Sequence, residues 1–153
     1  MAYLTRRAYL RSEVARIFEG LTINGTACPI AERTVPTGDT IRGAFRCGNQ
    51  EKEPVGEGRK SAETGTMVCY VRVEFRTDEA DVAQDDTLGI IEDAVEAAIE
   101  AYTPGAKWTH PLSRETVEIR RVENRHLVPA IGQDGSTGFV IMPFVVLFHR
   151  GRR

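Results

Sequence analysis

Residues 139–149 read FVIMPFVVLFH and are apolar at almost every position. The run indicates a β-strand, and in a strand successive side chains point to opposite faces. We therefore expect this strand to be apolar on both faces and to need a second cover, either a helix or a neighbouring subunit. Because Pro143 has no N–H to donate to a ladder, we expect it at a sheet edge or at a bulge.

A second strand is predicted by TMVCYVRVEFRT, residues 66–77, in which side chains alternate. Met67, Cys69, Val71, Val73 and Phe75 are predicted to face the core, and the residues between them to face mostly water. Two weaker strands are predicted at residues 40–47 and 115–122.

Two amphipathic helices are predicted from apolar residues that recur every three or four positions. The first, within residues 4–21, places Leu10, Val14, Ile17, Phe18 and Leu21 on one side. The second follows an expected cap at Asp85, Asp86 or Thr87 and ends at Thr103-Pro104-Gly105. Its apolar residues are Leu88, Ile91, Val95, Ala98, Ile99 and Tyr102.

The stretch from Gly48 to Gly65 holds four glycines and seven charged residues. Ordering it would cost about 1 to 2 kcal/mol per residue, while it offers almost no apolar surface to bury. We therefore predict a mobile loop at residues 48–65 that a partner orders.

Together these elements predict one α+β domain over residues 1–153, with a mostly antiparallel sheet and two main helices packed on one side. The sequence has no apolar run long enough to span a membrane and no apolar core of a signal peptide behind its first arginines. We expect it to fold in the cytoplasm.

Charge is unevenly distributed along the chain. Residues 78–102 contain nine acidic residues and neither Lys nor Arg, while the net charge is only -2. We therefore expect one acidic face and a basic remainder. If the acidic helix of one copy meets the basic surface of the next, the contact is heterologous, and repeated with a closing rotation it generates a ring.

The sequence contains no pattern that indicates catalysis, a cofactor or a metal. The three histidines are not spaced as metal ligands, and an Asp81, Asp85 and Asp86 ion cluster is less favoured than helix capping. Cys28, Cys47 and Cys69 include no Cys-x-x-Cys pair, so we expect free thiols. The basic residues are not interleaved with aromatic ones, and we expect no sequence-specific nucleic-acid binding.

Four segments together carry a resemblance to a known family: the basic N-terminal helix, the polar loop before TMVCYVRVEF, the alanine-rich TLGIIEDAVEAAIEAY, and the final VVLFHR. In this order the chain resembles the tail terminator, or tail-completion, proteins of long-tailed bacteriophages. The resemblance implies a small non-enzymatic α+β protein of the virion tail or neck, assembled in the host cytoplasm. It further implies a hexameric ring that caps the tail-tube protein and meets the head-tail connector protein.

Two alternatives stay open on the sequence. One is another head-tail joining, neck or tail-tube protein. The other is a small enzyme that uses residues 48–65 as an active-site lid, with Arg59 or Lys60 closing on an anion. The candidate assembly contacts are Arg6, Arg7, Arg11, Arg59, Lys60, Asp85, Asp86, Glu92, Glu96, Phe144 and Val146.

Overall fold

The structure is a computed structural model that describes residues 3–37, 41–54, 62–76, 81–125, 130–134 and 137–151. For residues 49, 51–54, 62–63, 81–85, 130 and 133–134 it describes the backbone alone. In chain order the elements are α1 (Arg6–Ile17), β1 (Thr22–Ile23), β2 (Thr26–Ala27), β3 (Ile30–Glu32), β4 (Arg42–Pro54), β5 (Ala62–Arg76), α2 (Asp81–Glu100), β6 (Trp108–Thr109), β7 (Thr116–Asn124), β8 (Ala130–Asp134) and β9 (Thr137–Gly151).

One sheet holds seven of the strands, in the order β3-β4-β5-β9-β7-β6, with β8 also pairing with β9. The β3–β4 pair is parallel, and the other pairs of this sheet are antiparallel. Strands β1 and β2 form a separate hairpin through Asn24 and Gly25, whose positive φ angles suit a tight turn.

The expected fold class is wrong. The protein is mostly β, with about half of the described residues in strands and about a quarter in helices, and its sheet curls into a half-barrel. Although most of its strand pairs are antiparallel, the architecture is not a sheet that carries two helices as a layer on one side. The reason is the length of the strands, since β5 and β9 each contain 15 residues and pair along their whole length.

Two register shifts accompany the curl of the sheet. One lies in β4 between Cys47 and Gln50, and the other lies in β7 between Ile119 and Arg121. A bulge bends its strand and increases the local twist, which favours a curled sheet over a flat one.

The core lies inside this curl, and both helices contribute to it. Met67, Cys69, Val71, Val73 and Phe75 are all buried, which confirms the predicted inward face of β5. From the helices, the core takes the predicted Leu10, Val14, Ile17 and Phe18 of the first helical segment and Ile91, Val95 and Ile99 of the second.

The prediction for Pro143 is wrong, because β9 lies inside the sheet between β5 on one side and β7 and β8 on the other. Pairing with β8 ends at Ile141, and pairing with β7 begins at Phe144. Pro143 lies between them, and its carbonyl accepts a hydrogen bond from the N–H of Arg125 at 3.1 Å. The ring nitrogen of Pro143 faces the same gap between the β8 and β7 ladders. The missing N–H therefore removes no ladder hydrogen bond there.

The predicted loop at residues 48–65 is largely strand. β4 continues to Pro54 and β5 begins at Ala62, with Pro54 opposite Glu63. The prediction failed because ladder hydrogen bonds are made by the backbone and do not require apolar side chains. Residues 55–61, and with them Arg59 and Lys60, lie outside the described residues.

Helix α1 begins where Thr5 caps it, with its hydroxyl accepting from the N–H of Ala8 at 3.1 Å. Helix α2 begins earlier than expected, at Asp81. Asp85 and Asp86 are therefore inside the helix and do not cap it, so that prediction is wrong.

Candidate functional site: an arginine groove and an acidic helix face

The predicted basic contacts on α1 are tied to their own chain. Arg7 donates to the carbonyls of Cys47 at 2.6 Å and Gly48 at 2.8 Å. Arg6 donates to the Gln50 side chain at 2.8 Å. These bonds hold α1 against β4 inside the stretch that was predicted to be mobile.

Arg11 is the third predicted contact on α1, and its Nε lies 2.6 Å from a carboxylate oxygen of Glu32 at the end of β3. Beyond Glu32 the chain turns at Arg33, whose φ is 71°, and Arg33 donates its N–H to the carbonyl of Phe45. Strand β3 ends there, so the rest of β4 has β5 as its ladder partner among the described strands.

Two adjoining cavities lie where β3 ends. One, of about 310 Å³, is lined by Arg7, Arg11, Glu32, Arg33, Arg46 and Cys47. The other, of about 460 Å³, is lined by Arg33, Val35, Ala44, Arg46, Tyr70, Arg72 and Ile141. They share Arg33 and Arg46, and we call them together the arginine groove.

The lining of the arginine groove contains five arginines and one glutamate. Arg11 pairs with Glu32 and Arg72 with Glu74, so the excess positive charge comes from the other arginines. Arg46 is exposed and makes no ion pair with another described residue. Arg33 is exposed and only 4.0 Å from Glu32, which is the limit of an ion pair. A positive field in a cleft attracts acidic groups and speeds their arrival.

The floor of the second cavity lies on the outer face of the sheet and includes the apolar side chains of Ala44 and Ile141. Ala44, Arg72 and Ile141 lie side by side across β4, β5 and β9. The guanidinium of Arg72 stands 3.9 Å from the centre of the Phe139 ring and also pairs with Glu74 at 3.0 Å. Tyr70, next along β5, is 47% exposed, so an aromatic ring is available to a partner.

The opposite charge is on α2. Asp86, Asp93 and Glu100 are exposed and seven residues apart, so they lie along one side of the helix. Glu92 and Glu96 lie to one side of this line, nearer the buried side of the helix, and are half-buried. We call these five residues, Asp86, Glu92, Asp93, Glu96 and Glu100, the acidic face. The side chain of Asp85 lies outside the described residues.

Two predicted contacts are not available to a partner. Phe144 and Val146 are fully buried, because they point into the core of their own chain. Their prediction as ring contacts is wrong, since the inward face of β9 is covered by the helices. Ile141, on the opposite face of the strand, lines the arginine groove instead.

The sequence did not predict that Arg33, Arg46 and Arg72 lie on one surface. Alternation in β5 did place Tyr70 and Arg72 on its outer face. The pairing of β4 with β5 and the turn at Arg33 join residues far apart in the chain, and a single sequence carries no local signal for such pairing.

The described residues do not suggest a metal or a membrane-spanning segment. Among them, no group of three or more His, Cys, Asp or Glu side chains could hold a metal ion. Nδ1 of His110 accepts the N–H groups of Leu112 and Ser113, which is a turn-forming role. In the described part of the chain, neither helix has the length and apolar character that crossing a membrane requires.

No protein-family model matches the chain, and the curated proteins contain no match to it.

Proposed function

We propose that the chain is a structural, non-enzymatic protein of a phage virion. In this proposal it is a tail terminator whose copies form a ring, with six as the expected number. The ring caps the tail-tube protein and presents its other side to the head-tail connector protein. A different neck, head-tail joining or tail-tube protein is the alternative of the same class.

One observation carries the proposal: the acidic face and the arginine groove are exposed on different elements of the same chain. The first belongs to α2, while the second lies between α1, the end of β3 and the outer face of the sheet. Opposite patches at different places favour a head-to-tail contact, and a head-to-tail contact that closes gives a ring.

The resemblance of the sequence suggests the tail tube and the connector as partners. The structure limits which surfaces of the chain could contact them. Phe144 and Val146 are buried, so contact with a partner depends on the outer face of the sheet and on charged surfaces. Because exposed charge pairs are screened by salt, such an assembly is expected to weaken as salt is added.

Electron microscopy of tail tubes tests the proposed function directly. Purified protein is mixed with tubes assembled from the tail-tube protein, and negatively stained ends are compared with ends of tubes alone. The proposal predicts a ring of density at one end of the tube and no further growth when fresh tube protein is added. Tubes that keep growing, with bare ends, would contradict it.

A further inference from the structure

We infer that the arginine groove of one copy receives the acidic face of α2 from a second copy. This inference rests on the proposed function and names the contact by which the ring would form. The occupant is helix α2 of a second copy of the chain, and charge, apolar character and position all favour it.

Charge is the first argument. The groove lining includes the exposed Arg46, and Arg33, which lies at the 4.0 Å limit of an ion pair with Glu32. The segment from residue 78 to residue 102, which contains the acidic face, has neither Lys nor Arg. Asp86, Asp93 and Glu100 form no ion pair with another residue of the described chain. Both surfaces thus have charge to offer to each other.

Apolar character is the second argument. The larger cavity has Tyr70 and Ile141 in its lining, and the exposed side of α2 includes Ile90, which is 38% exposed. Gly89 and Ala97 lie on the same exposed side, so the backbone of α2 can approach a groove closely. A phosphate or another small anion would match the arginines and leave this apolar floor uncovered.

Position is the third argument. The buried side of α2 packs into the core inside the curled sheet, so its acidic face points away from that core. The floor of the larger cavity lies on the outer face of the same sheet. A chain therefore cannot place α2 in its own groove, and the contact must join two copies.

Charge reversal on each side tests the inference. Asp93→Lys reverses the centre of the acidic face, and Arg46→Glu reverses the residue shared by both cavities. Sedimentation is measured up to about 1 mM, where even weak association is detected. We expect the wild-type chain to exceed its monomer mass of 17.0 kDa and each variant alone to remain monomeric.

An equal mixture of the two variants tests whether the groove of one copy binds the acidic face of another. Each Arg46→Glu copy retains a native acidic face, and each Asp93→Lys copy retains a native groove, so an equal mixture should associate again. Matched controls are Glu19→Lys and Arg120→Glu, which reverse exposed charges outside the acidic face and the groove and should associate like wild type. Circular dichroism of each variant checks that it is folded.

Several outcomes would overturn the inference. They are a wild-type chain that stays monomeric at about 1 mM, a variant that associates normally, or a mixture that stays monomeric. A phosphate titration that reduces association only as much as equal ionic strength of chloride supports the helix as occupant. If Asp93→Lys still forms rings on tubes, the groove contact is wrong and the proposed function stands. If tubes acquire no ring even with wild-type protein, the proposed function fails.

Discussion

At the scale of single residues, Cys47 occupies a special position beside the arginine groove. It lies directly opposite Cys69 across β4 and β5, and it lines the smaller cavity. A hydrogen bond from the Cys69 thiol lowers the pKa of Cys47, and the nearby charge of Arg7 acts in the same direction against the effect of burial. The same hydrogen bond and burial raise the pKa of Cys69.

The three thiols should therefore react with iodoacetamide at very different rates. Only the thiolate is nucleophilic, and burial raises the pKa of Cys28 to about 11. In native protein we expect Cys47 to be alkylated first, with its rate reaching half of the plateau below the ordinary thiol pKa of about 8.5. Mass spectrometry of peptides at a series of pH values measures this.

The buried cysteines serve as internal controls for that reaction. Cys28 is 1% exposed and Cys69 is fully buried, so both should stay unmodified while the protein is folded. Modification of Cys28 as fast as Cys47, or a midpoint for Cys47 above about 8.5, would contradict the account.

At the scale of elements, a charged cluster joins the first helix to the last strand. Glu115 is only 8% exposed and accepts two hydrogen bonds from the guanidinium of Arg150, at the end of β9. Arg6 of α1 lies 3.7 Å from the other carboxylate oxygen. The cluster thus connects α1, the start of β7 and β9.

Removing the carboxylate should destabilise the fold strongly. Glu115→Ala removes the carboxylate that faces the largely buried guanidinium groups of Arg6 and Arg150. We therefore expect the free energy of unfolding to fall by about 2 to 4 kcal/mol. Glu118→Ala is the control, because that side chain is 43% exposed and 4.0 Å from Arg120, so the change should be at most about 0.5 kcal/mol. Urea unfolding of both variants measures the difference, and equal losses would refute the role assigned to Glu115.

Some elements of this fold could be predicted from the sequence alone, and others could not. Strand β5 and the buried sides of both helices follow from local periodicity, and the structure confirms them because each pattern reflects one buried face. The extension of β4 from Gly48 to Pro54 has no such pattern, because its residues are mostly polar. It is a strand because its backbone pairs with β5. The interior position of Pro143 depends on β7 ending and β8 beginning beside it, which is a tertiary arrangement.

At the scale of the whole molecule, the sequence predicts which segments are charged but not which charged residues come together on the surface. The acidic face follows directly from the composition of residues 78–102. The arginine groove does not, because the fold brings together Arg11 from α1, Arg33 from the turn after β3, and Arg72 from β5. The expected fold class failed for the same reason, since curling depends on how long strands pair and where they bulge.

The central claim is that copies of this chain recognise one another through α2 and the arginine groove in a ring. The most direct measurement is an electron cryomicroscopy map of the protein bound to tail tubes, at a resolution that shows side chains. The account predicts that Asp93 of each copy faces Arg46 of its neighbour. A ring in which α2 faces solvent, with the groove empty or filled by another segment, would contradict it.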